Sequence, residues 1–147
     1  MKLDKKKILK FQKNKPPYLF VDYVTKLIPG KIANGYKVLK SNEWFFKVHW
    51  KGDPNMPGML QIEALVQLAA LTILGKKKNR GKIVYLISVE KAEFKRKILP
   101  GDKLTMTSKL IKYNRGIGEC EAEGKVAKKI ACRAKFKIAF PEDMLKI

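Results

Sequence analysis

Residues 59–74, MLQIEALVQLAALTIL, put apolar side chains on almost every face of a helix, and this segment most constrains the fold. A surface helix carries one apolar stripe, whereas a helix apolar all round must be enclosed by protein. Pro57 and Gly58 precede the run and Gly75 follows it, residue types suited to helix entry and exit. A central helix over about 57–75 is therefore expected. Gln61, Glu63 and Gln67 interrupt the run, which is too short and too polar for a membrane span.

The rest of the chain supplies the enclosure. In IACRAKFKIAF, Ile130, Cys132, Ala134, Phe136, Ile138 and Phe140 face one way, while Arg133, Lys135 and Lys137 face the other. That period of two marks an antiparallel sheet with one solvated face. KLTMTSKLI likewise sets Leu104, Met106, Ser108 and Leu110 on one side. LFVDYVTKLI, turned by PGK into KIANGYKVLK, and the segments KIVYLISVEKAEFKRKI and IGECEAEGKVA bring the total to about five or six strands. A basic N-terminal segment, residues 1–15, leads in. It reads as a short helix over 1–13 with Ile8, Leu9 and Phe11 inward, stopped by the prolines of NKPPY. KKKNRGK, after the central helix, reads as an exposed loop. The expected fold is α+β, a curved antiparallel sheet wrapped around one long central helix, in a single domain over 1–147.

The chemistry gathers where the helix begins. His49 is the only histidine of the chain, and it precedes the turn GDPNMPG. Glu63 lies in the second turn of the central helix. Histidine is suited to moving a proton near neutral pH. The helix N-terminus favours ionised Glu63, while burial favours its protonated form, a competent general acid. Gln67, four residues on, shares its face and can orient the carboxyl. The N–H groups of Gly58 and Met59 have no acceptor within the helix, so they can hold a polarised carbonyl oxygen. Cys120 and Cys132 lack further ligands for zinc and read as reduced, buried thiols.

The pattern H-x-x-G-D-P-x-M-P-G-x-L-x-x-E-A-x-x-Q over residues 49–67 closely resembles the active-site motif of β-hydroxyacyl-ACP dehydratases of the FabZ/FabA type. PYLFVDYV resembles that family's entry strand, NEWFFKVH its approach to the histidine, and IVYLISVEKAEFKRKILPGDKL its later strand and turn. The resemblance implies a hot-dog fold. It also implies a homodimer, with a trimer of dimers left open, in which His49 of one protomer meets Glu63 of the other. The implied activity is elimination of water from a (3R)-hydroxyacyl thioester to give a trans-2-enoyl thioester, with no metal or redox cofactor. His49 and Glu63 would be the catalytic base and acid. Gly58, Met59, Gln67 and Tyr85 would bind substrate, Tyr85 at the mouth of the acyl tunnel. Acyl carrier protein is the implied partner, and Lys95, Arg96 and Lys97 match a segment near the family's tunnel entrance.

Net charge of +20 fits that acidic partner. It fits nucleic acid poorly, because only Arg80, Arg96, Arg115 and Arg133 among 33 basic residues are arginine and the lysines are spread along the chain. The basic start has no apolar core of a secretion signal, so a cytoplasmic location is expected. Trp50 and Lys51 replace the family's usual Phe-Pro after the histidine, and GDPNMPG resembles the isomerising branch while Glu63 is the acid of the branch that only dehydrates. An acyl thioesterase of the same fold and an inactive carrier-binding subunit are the alternative readings.

Overall fold

The computed structural model describes residues 1–144. Helix α1 (Lys5–Phe11) is capped by Asp4, whose carboxylate accepts from the N–H of Lys7 at 2.9 Å. Ile8 and Phe11 are buried as expected, but Leu9 is 41% exposed. With 3.6 residues per turn, Leu9 lies about 100° from Ile8 and faces away from the packed side.

Strands β1 (Tyr23–Ile28) and β2 (Ile32–Val38) form a hairpin. The short helix α2 (Trp44–Val48) delivers the chain to His49. The central helix α3 spans Gly58–Leu74, close to the expected bounds, with Pro57 and Gly75 flanking it. A one-turn helix over Lys77–Asn79 follows, and then β3 (Tyr85–Phe94), β4 (Lys103–Asn114), β5 (Ile117–Val126), β6 (Lys129–Ala139) and the terminal turn α4 (Pro141–Met144). The six strands form one antiparallel sheet in the order β1-β2-β4-β5-β6-β3.

The sheet wraps the helix, the hot-dog arrangement. Ile62, Leu65, Leu68, Ala69, Leu71 and Ile73 of α3 are all but inaccessible. They meet the inward faces of the strands, among them Leu104, Met106, Phe136 and Ile138. The period-two alternation in β4 and β6 is therefore the imprint of the helix on the sheet. Ser108 falls on that dry face and stays because its hydroxyl donates to the Leu65 carbonyl at 3.0 Å. The outward face carries cross-strand ion pairs such as Arg133–Glu93 and Lys135–Glu121.

Two further local expectations are corrected. The first strand begins at Tyr23 rather than Leu19. Leu19, Phe20 and Val21 are all buried, without alternation, because this segment is held by a side chain of α3 rather than by a ladder. Gly75 ends α3 as expected, at an ordinary φ of −64°. Glycine is needed there because an added Cβ would meet the Leu71 carbonyl at 2.8 Å and Leu27 Cδ2 at 2.9 Å. In KKKNRGK, Asn79 is buried, and its amide donates to the Ile73 carbonyl in the last turn of α3 at 3.1 Å. Cys120 and Cys132 are free and buried, and burial pushes their thiols up to about 12 and about 11.

Candidate active site

His49 caps α2, and its backbone N–H reaches the Phe45 carbonyl at 3.1 Å. Its imidazole Nδ1 lies 3.0 Å from the main-chain carbonyl oxygen of Asn55. A carbonyl can only accept, so the contact assigns the proton to Nδ1 and leaves the Nε2 lone pair as the basic site. The loop that carries Asn55 is pinned at several points. The Asn55 side-chain amide donates to the Asp53 carbonyl at 2.9 Å, and Lys97 Nζ meets both Asp53 carboxylate oxygens at 3.1 Å. The Met56 N–H donates to the Ile98 carbonyl at 2.8 Å, and buried Gln61 donates to the Met56 carbonyl at 2.9 Å.

Gly58 opens α3, and the first N–H groups with acceptors in this turn belong to Leu60 and Gln61, both bonded to the Pro57 carbonyl at 3.0 Å. The N–H groups of Gly58 and Met59 stand ahead of them at the positive end of the helix. A Cβ on Gly58 would lie 3.0 Å from the Phe94 ring. Sequence reasoning assigned that glycine to substrate approach and missed Phe94, a half-exposed aromatic at the end of β3. Its only sequence signal is an apolar residue beside the basic run KRK. Met59, 70% exposed, projects outward from the same turn.

Glu63 is half-buried, and desolvation raises its carboxyl above the ordinary value of 4.5, with the Gln67 amide pulling the other way. Gln67 does more than sit beside Glu63. Its Oε1 accepts from the Phe20 N–H at 2.8 Å and its Nε2 donates to the Tyr18 carbonyl at 3.1 Å, clamping the entry segment onto α3. That clamp brings in Tyr18, another residue missed from sequence, whose hydroxyl pKa is raised by burial and by the Glu63 charge. Glu63 opens into a cleft of about 210 Å³ between α3, residues 12–14 and the start of β3, lined by Val66, Ala70, Leu74, Ile83, Val84 and Leu86. A wider cavity of about 540 Å³ lies elsewhere, on the outward sheet face, between residues already joined in ion pairs.

Among the described residues, no hydrogen bond or ion pair joins His49 to Glu63, and His49 does not line the Glu63 cleft. Tyr85 opens β3 opposite Ala139 and is 58% exposed, outside the cleft that its neighbours Val84 and Leu86 line. Lys95 pairs with Glu93 at 2.9 Å and Lys97 with Asp53, whereas Arg96 makes no ion pair among the described residues. β3 is an edge strand, hydrogen-bonded on one side to β6, and it exposes Tyr85, Leu86, Ile87, Val89 and Phe94. No helix of the described residues is long and apolar enough to cross a membrane.

Comparison with known proteins places this geometry. The FabA-like domain matches residues 13–135. The chain is 41% identical over 140 residues to the 3-hydroxyacyl-[acyl-carrier-protein] dehydratase FabZ of Clostridium novyi (strain NT), which covers 94% of this chain and 99% of that protein. It is 43% identical over 129 residues to the FabZ of Clostridium botulinum (strain Kyoto / Type A2), covering 85% and 90% respectively. Among solved structures, a chain of the dehydratase heterocomplex ApeI:P from Xenorhabdus doucetiae superposes with a TM-score of 0.76 at 12% identity, over 91% of this chain and 90% of that one. The E. coli PaaI protein does so at 0.62 and 13%, over 79% and 80%. The two structures share the fold, and the sequence matches carry the kinship: the chain belongs to the FabA-like family, beside the FabZ-type dehydratases.

Proposed function

We propose that the protein is a (3R)-hydroxyacyl-[acyl-carrier-protein] dehydratase of fatty-acid biosynthesis, a hydro-lyase acting in the cytoplasm. The single observation that carries this reading is the His49 Nδ1 contact to the Asn55 carbonyl, which in the neutral imidazole selects the tautomer whose Nε2 lone pair is free to act as base. Nε2 takes the proton from C2 of the 3-hydroxyacyl thioester. The thioester carbonyl, which gains negative charge as that proton leaves, accepts from the Gly58 N–H at the head of α3. Glu63, whose carboxyl burial raises above the ordinary carboxylate value, gives its proton to the 3-hydroxyl, which departs as water. The products are the trans-2-enoyl thioester and water, and proton transfer between the two groups through solvent resets them.

The base and acid act from different protomers of a homodimer. Two observations support this: among the described residues no hydrogen bond or ion pair joins His49 to Glu63, and β3 offers an unpaired edge flanked by exposed apolar side chains. Pairing of β3 with its symmetry mate would cover Leu86, Ile87 and Val89 and bring Tyr85 to the interface. The cleft below Glu63 takes the acyl chain, and the cations around residues 95–97 receive the acidic carrier.

The test is the absorbance of the enoyl thioester formed from a 3-hydroxyacyl-ACP by the wild type, His49→Ala and Glu63→Gln. Enoyl product from the wild type, reduced about 10²- to 10⁴-fold in each variant, is the expected result. Release of free thiol without enoyl product would mean a thioesterase instead.

A further inference from the structure

The cleft below Glu63 shares a wall residue with a neighbouring cavity. Glu63, Val66, Ala70 and Leu74 recur three and four residues apart and form one stripe of α3. From Glu63 to Leu74 the helix rises about 16 Å at 1.5 Å per residue. Lys82 lines both this cleft and a second cavity of about 400 Å³. That second cavity is walled by Lys76, Lys78, Leu110, Ile111, Tyr113 and Arg115.

Lys82 is well fixed where it stands. Its Nζ donates to Asp143 Oδ1 at 2.7 Å and to Asn79 Oδ1 at 2.8 Å, and its side chain is only 12% exposed. Asn79 is itself tied to the Ile73 carbonyl at the end of α3, and the Tyr113 hydroxyl donates to Asp143 Oδ2 at 2.6 Å. The network thus connects the end of the central helix, β4 and the terminal turn α4. Sequence reasoning took only KKKNRGK, residues 76–82, for an exposed loop.

We propose that Lys82, held by Asp143 and Asn79, is the stop that ends the acyl channel and sets the longest chain the enzyme turns over. The inference rests on the dehydratase reading. An apolar chain terminus arriving at Leu74 meets an ammonium group already bonded to two partners. To pass it, the chain would have to separate a largely buried ion pair, which is strongly unfavourable. The stop therefore limits acyl length, and the channel discriminates against chains too long to end before it. Removing the Lys82 side chain joins the two cavities and takes the stop away.

The experiment measures kcat/KM for 3-hydroxybutyryl-ACP and 3-hydroxypalmitoyl-ACP with the wild type, Lys82→Ala and Ala70→Leu, each variant checked by thermal unfolding. The readout is the ratio of long-chain to short-chain kcat/KM. Lys82→Ala is expected to raise it about tenfold, and Ala70→Leu, which narrows the channel midway, to lower it at least as much. The second variant keeps the channel assignment testable if the first is unstable. Dehydration of both substrates with a ratio that neither variant moves by more than about twofold overturns the inference and leaves the dehydratase reading standing. Absence of enoyl product from the wild type with both substrates overturns the two together.

Discussion

The imidazole of His49 gives its Nδ1–H to the main-chain carbonyl of Asn55, 3.0 Å away, so a backbone atom of the site loop selects the base's tautomer. Because the acceptor belongs to the main chain, the loop can be disturbed only through what holds it. Asn55→Ala removes the bond to the Asp53 carbonyl and leaves the Met56–Ile98 backbone bond in place. Steady-state kinetics of this variant are expected to show kcat lowered on the order of ten- to a hundredfold, with KM little changed. An unaltered kcat would mean that the Asn55 side chain does not position the base.

Glu63 ties stability to pH in a defined direction. Its folded pKa is raised above the ordinary 4.5, so the native state holds the proton more tightly than the unfolded state. The stability contributed by protonated Glu63 is fully present below the unfolded pKa and is lost as pH rises through the folded one. Glu63→Gln has no such loss. Thermal melts should therefore show the variant gaining on the wild type as pH rises from about 4 to 8, and parallel pH profiles would refute the assignment. In the wild type, activity should fall as pH rises through the same raised pKa, because the acid must be protonated to act.

Two glycines should respond differently to alanine. A Cβ at Gly35, in the middle of β2 and paired on both sides, would lie 2.5 Å from the Tyr23 carbonyl oxygen, where backbone must move. Gly35→Ala is expected to cost about 3 kcal/mol in denaturant unfolding. At Gly58 the obstacle is the half-exposed Phe94 ring at 3.0 Å, which can swing aside. Gly58→Ala should therefore unfold within about 1 kcal/mol of the wild type and yet lose activity, because the displaced ring and added methyl crowd the oxyanion donors.

Within the 95–97 run, Lys95 and Lys97 already spend their charge on Glu93 and Asp53, leaving Arg96 as the cation most available to a carrier. Arg96→Glu is expected to raise KM for acyl-ACP about tenfold at low salt, and less at high salt, with kcat near wild type. A pantetheine thioester, which lacks the acidic carrier, should show no such change. Equal effects on both substrates would place Arg96 in the substrate site rather than at the docking surface.

Whatever depends on neighbours along the chain was legible in the residues alone. The all-round apolar run of residues 59–74 required an enclosed helix, the alternation in β4 and β6 required a sheet with one dry face, and the spacing from His49 to Glu63 carried the family resemblance. These signals are local, because helical and strand periods are set by backbone geometry over a few residues. The contacts between distant segments emerge in the folded chain alone. Folding made β3 an edge strand, gave the Gln67 amide to Tyr18 and Phe20, set Phe94 against Gly58 and locked Lys82 to Asp143 across 61 residues of chain. Leu9 shows the limit within a single helix, where composition allowed it inward and the packing of α1 turned it out. Such contacts depend on how the strands order themselves around α3. No periodicity in the sequence encodes that order, because closing long loops has an entropic cost that depends only weakly on which segments meet.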